Sequence, residues 1–185
     1  MSDDKLEVLI VEDNPGDAYM IKEMLQDLKL SMSIRVAKDG QAALNILKEG
    51  QSGAPGLIIL DLNLPKVNGF EVLRFMKSSP SLRSIPVIVM TGSLRGEDEQ
   101  TSRELGAVDY CLKPSTADEM ERTAMCLRAN LEPLSREKGR HGHGPSVKMD
   151  LYNFDVDQRG WRPPTALPER SVMDAFENGP WVPWR

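Results

Sequence analysis

Five short apolar runs, each followed by a stretch with helical spacing, constrain this chain more than any other feature. The runs are Leu6–Val11, Ser33–Ala37, Leu57–Leu60, Pro86–Met90 and Val108–Leu112. They are rich in Val, Ile and Leu and show little alternation with polar residues. Near-continuous apolarity suits strands that are covered on both faces, as in a parallel sheet. Between them, Ala18, Ile21, Leu25 and Leu28 fall on one helical face. Ala43, Leu44 and Leu47 mark a second helix, and Val72, Leu73 and Met76 a third. Met120, Ala124, Leu127 and Leu131 mark the last, while Gly96–Leu105 reads as a charged helix with a thin apolar stripe. Strands and helices that alternate in this way imply right-handed crossovers and a doubly wound α/β sheet.

Such sheets bind ligands beyond the carboxyl ends of their strands. The first run leads into Glu12 and Asp13, the third into Asp61, the fourth into Thr91 and the fifth into Lys113-Pro114. Two acids, another acid, a hydroxyl and an amine thus converge on one edge. Crowded carboxylates repel one another unless a cation neutralises them. Hard oxygen ligands suit Mg²⁺, which binds through one or two carboxylates and phosphate oxygens. On a central strand, Asp61 is the natural nucleophile, since a carboxylate can attack a phosphoryl group and form an acyl phosphate. Mg²⁺, Lys113 and the Thr91 hydroxyl would stabilise the phosphoryl oxygens. A single strand-end acid is more often a helix cap, and Asp13 could cap the helix that begins near Pro15. Four complementary strand ends are hard to read as four caps.

These residues carry a family resemblance. Val8-Leu-Ile-Val-Glu-Asp-Asn, Ile58-Ile-Leu-Asp-Leu-Asn-Leu-Pro with Gly69, Pro86-Val-Ile-Val-Met-Thr-Gly and Gly106-Ala-Val-Asp-Tyr-Cys-Leu-Lys-Pro resemble the response-regulator receiver domain of two-component systems. The resemblance covers about Lys5 to Leu134. It implies a flavodoxin-like five-stranded parallel sheet in the order 2-1-3-4-5 with helices on both faces. It implies Asp61 as phospho-acceptor, with Thr91 and Lys113 as its catalytic partners. Mg²⁺ ligation is implied for Glu12, Asp13, Asp61 and the backbone carbonyl of Asn63. Thr91 and Tyr110 would form the switch, and a cis bond before Pro114 would help aim Lys113. The donor would be a sensor histidine kinase, and the output a conformational change read by another protein.

Two other roles keep the same residues. The domain could carry phosphate onward in a phosphorelay, or Asp61 could serve an aspartyl phosphatase. The phosphatase class wants a second acid two residues after the nucleophile, and Asn63 stands there. Turnover is therefore expected to be limited to self-phosphorylation and slow autodephosphorylation. The opening Asp13-Asn-Pro-Gly-Asp resembles stand-alone receivers that serve phytochrome-like kinases and dimerise, so a homodimer is possible.

The domain is expected over residues 1–134, with a Pro- and Trp-containing tail over 135–185. The tail has no helix-turn-helix pattern. It holds all three tryptophans, Trp161, Trp181 and Trp184, a composition that fits docking on the receiver or on a partner. His141 and His143 lie in a Gly-rich linker. The net charge of −5 argues against direct nucleic-acid binding. No apolar run reaches the ~20 residues of a membrane helix, and the polar N-terminus lacks a signal pattern, so a cytoplasmic protein is expected. Cys111 and Cys126 lack CxxC spacing and read as separate buried thiols.

Overall fold

The computed structural model describes residues 5–49 and 54–138. The expected tail beyond residue 138, with its three tryptophans and both histidines, lies outside the described residues. Among the described residues, ten elements alternate: β1 (Leu6–Val11), α1 (Pro15–Asp27), β2 (Met32–Ala37), α2 (Gly40–Glu49), β3 (Leu57–Leu60), α3 (Gly69–Ser78), β4 (Val87–Thr91), α4 (Gly96–Glu104), β5 (Asp109–Leu112) and α5 (Ala117–Lys138). The strands are all parallel and form one sheet in the order β2-β1-β3-β4-β5. This is the flavodoxin-like arrangement that the strand runs and the family resemblance imply.

The apolar runs are continuous because successive residues feed two different cores. Leu9, Val11, Ile58, Leu60, Val87 and Val89 pack with Ala43 and Leu47 of α2 and with Val72, Leu73 and Met76 of α3. Their neighbours Val8, Ile10, Leu57, Ile59, Ile88 and Met90 pack with Ile21 and Leu25 of α1 and with Leu127 and Leu131 of α5. Every β3 and β4 residue is buried, and each large aliphatic side chain so placed contributes roughly 2 kcal/mol.

Four expectations change. The α5 stripe runs through Thr123, Leu127 and Leu131, while Met120 is 40% exposed. Its first turn leaves Met120 at the surface, and α5 continues through Pro133 to Lys138. Asn14, rather than Asp13, caps α1: its side chain accepts from the Gly16 and Asp17 amides, which leaves Asp13 without that duty. The two thiols are not separate, since β5 and α5 bring the Cys111 and Cys126 sulfurs to 2.7 Å. No peptide bond among the described residues is cis, so the Lys113–Pro114 bond is trans. Lys113 is aimed by other means: its amide donates to the Thr91 carbonyl at 2.9 Å, and its ammonium is drawn by carboxylates.

Candidate functional site

Sheet register brings the expected residues together. Val11 lies beside Leu60, so Glu12 and Asp61 leave their strands side by side. The ladder carries on for one more bond at each: the Asp61 amide donates to Val11 and the Glu12 amide to Ala37, both at 3.0 Å. Thr91 pairs with Leu112, which places Lys113 just beyond it. A glycine is required behind Asp61. The Gly69 amide donates to the Leu62 carbonyl at 3.0 Å, so α3 starts against the strand end. A Cβ on Gly69 would overlap the Asp61 carbonyl oxygen and stand 2.7 Å from Leu62 Cα. Asn68 and Glu71 close a capping box that fixes this helix start.

Lys113 organises the acids. Its Nζ lies 2.6 Å from Asp61 Oδ2, 2.7 Å from Glu12 Oε2 and 2.9 Å from Asp17 Oδ2. Burial alone would lower the pKa of this ammonium. Hydrogen bonds with Asp17, Asp61 and Glu12 outweigh burial and hold the pKa above the usual lysine value. The other oxygens are held by backbone: Asp61 Oδ1 accepts the Asn63 amide and Glu12 Oε1 the Asn14 amide, both at 3.1 Å. Glu12 Oε2 is buried and has no aligned hydrogen-bond donor, despite the nearby ammonium. Burial raises the Glu12 pKa, and the Lys113 and Asn14 contacts only partly offset it.

Glu12, Asp13 and Asp61 can each place a carboxylate oxygen within 4.8 Å of the others. Glu12 and Asp61 are buried and Asp13 is exposed. The Lys113 ammonium pairs with three carboxylates, those of Glu12, Asp17 and Asp61. This set of hard carboxylate donors fits a divalent cation such as Mg²⁺.

Thr91 is wholly buried. Its hydroxyl oxygen lies 3.5 Å from Asn63 Nδ2 and 3.4 Å from the Ser93 amide. The Tyr110 ring packs against the α2–α3 core, and its hydroxyl donates to the Ser93 carbonyl at 2.9 Å. Burial raises the Tyr110 pKa, so the phenol stays protonated. Glu12, Asp13, Asp61, Asn63, Thr91, Tyr110 and Lys113 therefore occupy one end of the sheet.

Sequence reasoning missed two participants. Asp17 sits in the first turn of α1, which begins just after the β1 strand end and so overhangs the same pocket. That placement was available in principle from the β-α order. Ser93 contributes a backbone carbonyl, for which no residue-type signal exists.

The fold and acid cluster are those of a phospho-receiver, and the chain belongs to the response regulator receiver domain family, whose profile matches residues 8–124. It is 36% identical over 125 residues to the probable methanogenesis regulatory protein FilR2 of Methanothrix harundinacea, covering 66% of this chain and 81% of that protein. It is 38% identical over 110 residues to response regulator Rcp1 of Synechocystis sp., covering 57% and 75%. A probable cyclic di-GMP phosphodiesterase of Vibrio cholerae matches at 41% over 107 residues, 58% of this chain, but only 23% of that protein is spanned. The crystal structure of the Mn²⁺-bound form of Rcp1 aligns with TM-score 0.61 and 33% identity, covering 66% of this chain and 91% of that one. The phosphorylated cyanobacterial phytochrome response regulator RcpA aligns with TM-score 0.62 and 31% identity, covering 69% and 92%. Among the described residues, no helix is long and apolar enough to cross a membrane.

Proposed function

We propose that Asp61 accepts a phosphoryl group from a phosphohistidine of a sensor histidine kinase, and that the chain signals through protein contacts. A carboxylate oxygen of Asp61 attacks phosphorus, the phosphorus–nitrogen bond breaks, and the imidazole leaves with a proton. Glu12, Asp13, Asp61 and the Asn63 carbonyl would hold Mg²⁺, which supplies positive charge to the phosphoryl oxygens when bound. Lys113 and the Thr91 hydroxyl serve those oxygens from the protein side, with Lys113 exchanging an Asp61 oxygen for a phosphoryl oxygen. Movement of Thr91 perturbs the Ser93 turn and hence the Tyr110 hydroxyl bonded to it.

The observation that carries this reading is one ammonium within 2.9 Å of Asp61, Glu12 and Asp17 at the C-terminal end of the central strands. The Asn63 amide group faces the Thr91 hydroxyl. No acid stands there to drive turnover of external phosphate esters, which disfavours a phosphatase. A phytochrome-type kinase is the donor class supported by the relatives, since RcpA is described as a phytochrome response regulator at 31% identity.

The test uses a small phosphodonor. Acetyl phosphate with Mg²⁺ should label the chain with acid-stable, hydroxylamine-sensitive phosphate, and Asp61→Asn should abolish that label. Undiminished label on the variant would refute the assignment.

A further inference from the structure

Cys111 lies on β5 between Tyr110 and Lys113, and Cys126 lies on α5. Both belong to the core that α1 and α5 form with the sheet. Their sulfurs stand 2.7 Å apart, bridging 15 residues of sequence. A disulfide needs about 2.05 Å, so a small closure suffices. Two thiolates on one tetrahedral zinc, with Zn–S near 2.3 Å, would stand roughly 3.7 Å apart. The observed approach is too close for that and favours a bond between the sulfurs.

Two further features serve the chemistry. An open groove of about 530 Å³ is lined by Leu94, Leu112, Pro114 and Arg122 together with Cys111 and Cys126. Asp109 Oδ2 lies 3.1 Å from the Cys126 sulfur and 3.1 Å from Asn130 Nδ2, so a held carboxylate accepts the Cys126 proton.

We propose that Cys111 and Cys126 form an intramolecular disulfide when the chain meets a hydroperoxide. The Cys111 thiolate attacks one peroxide oxygen: a sulfur–oxygen bond forms and the oxygen–oxygen bond breaks. With hydrogen peroxide the departing oxygen takes up a proton as water and leaves a sulfenic acid. The Cys126 sulfur then attacks the Cys111 sulfur, giving its proton to Asp109. The sulfur–sulfur bond forms, the sulfur–oxygen bond breaks, and a second water leaves. Two thiols and one peroxide thus yield one disulfide and two waters. Contact with Cys111, burial and the Asp109 carboxylate all raise the Cys126 pKa, so this thiol keeps its proton until Asp109 takes it in the resolving step. The bond ties the strand that carries Tyr110 and leads into Lys113 to α5. Its formation does not depend on phosphorylation of Asp61.

The full reduced chain is treated with hydrogen peroxide, alkylated under denaturing conditions and digested with trypsin. The expected product is 2 Da lighter, has both thiols protected, and contains the 104–122 peptide linked to the 123–128 peptide. With Cys126→Ser, dimedone should trap a sulfenic acid on Cys111. Any of three outcomes would overturn the proposal: both thiols still alkylated, sulfinic acid without a cross-link, or links formed only between chains. Retention of one zinc per chain with both thiols protected would replace it with a metal site.

Discussion

The Tyr110 hydroxyl donates to the Ser93 carbonyl at 2.9 Å, which ties β5 to the turn that follows Thr91. The two residues are 17 apart in sequence and join different strand ends. Tyr110→Phe removes this bond and keeps the packed ring. The loss should be about 1 kcal/mol of stability by urea unfolding. Labelling of Asp61 by acetyl phosphate should persist within about twofold, because the phenol touches no carboxylate of the pocket.

Lys113→Ala should have the opposite profile. It removes the one ammonium that, among the described residues, pairs with buried Glu12 and Asp61, and leaves their charges uncompensated. Breaking a buried ion pair costs about 3 kcal/mol. Thermal unfolding should show that loss without Mg²⁺ and a partial recovery with it. Phosphate labelling should fall by at least tenfold.

Glu12 sets a pH dependence. Its folded-state pKa lies above the ordinary glutamate value of 4.5, chiefly through burial. Between those two values the folded chain holds a proton that the unfolded chain has lost, so this group's contribution stabilises as pH falls and is lost as pH rises. Mg²⁺ requires the ionised carboxylate and reverses the preference. The rise in Tm caused by Mg²⁺ should therefore be largest near neutral pH and shrink as pH falls through the raised Glu12 pKa towards 4.5. An equal Mg²⁺ effect across that range would exclude Glu12 from the metal site.

Gly69→Ala tests the backbone beneath the acceptor. The new methyl meets the Asp61 carbonyl and the Leu62 Cα, which are backbone and cannot turn aside. Overpacking of this kind costs about 2 kcal/mol. Guanidinium unfolding should report it, and labelling should fall with it because Asp61 itself is displaced.

Much of this was legible in the sequence because strand ends are informative in a parallel sheet. Glu12, Asp61, Thr91 and Lys113 each follow or end an apolar run, and chain order alone places them at one edge. Gly69 was legible as a motif residue, and its physical reason appeared with the Asp61 backbone beside it. The rest depended on three-dimensional placement. Asp17 ends no strand, and only the overhang of α1 brings it to Lys113. Cys111 and Cys126 have no spacing signal, since one is on a strand and the other near the middle of a helix. Met120 has apolar chemistry and helical spacing, but that spacing does not reveal how much of a helix's first turn is covered. Ser93 acts through its carbonyl, which every residue type possesses.

The pocket joins residues that are remote in the chain: Lys113 reaches Asp61 across 52 positions and Asp17 across 96. No contiguous fragment short of the whole sheet holds the acids, the hydroxyl and the amine together. On the proposed reading, competence to take a phosphoryl group is therefore an emergent property of complete sheet assembly. A nascent or partly melted chain would remain silent to its donor, so the signalling chemistry doubles as a check that folding has finished.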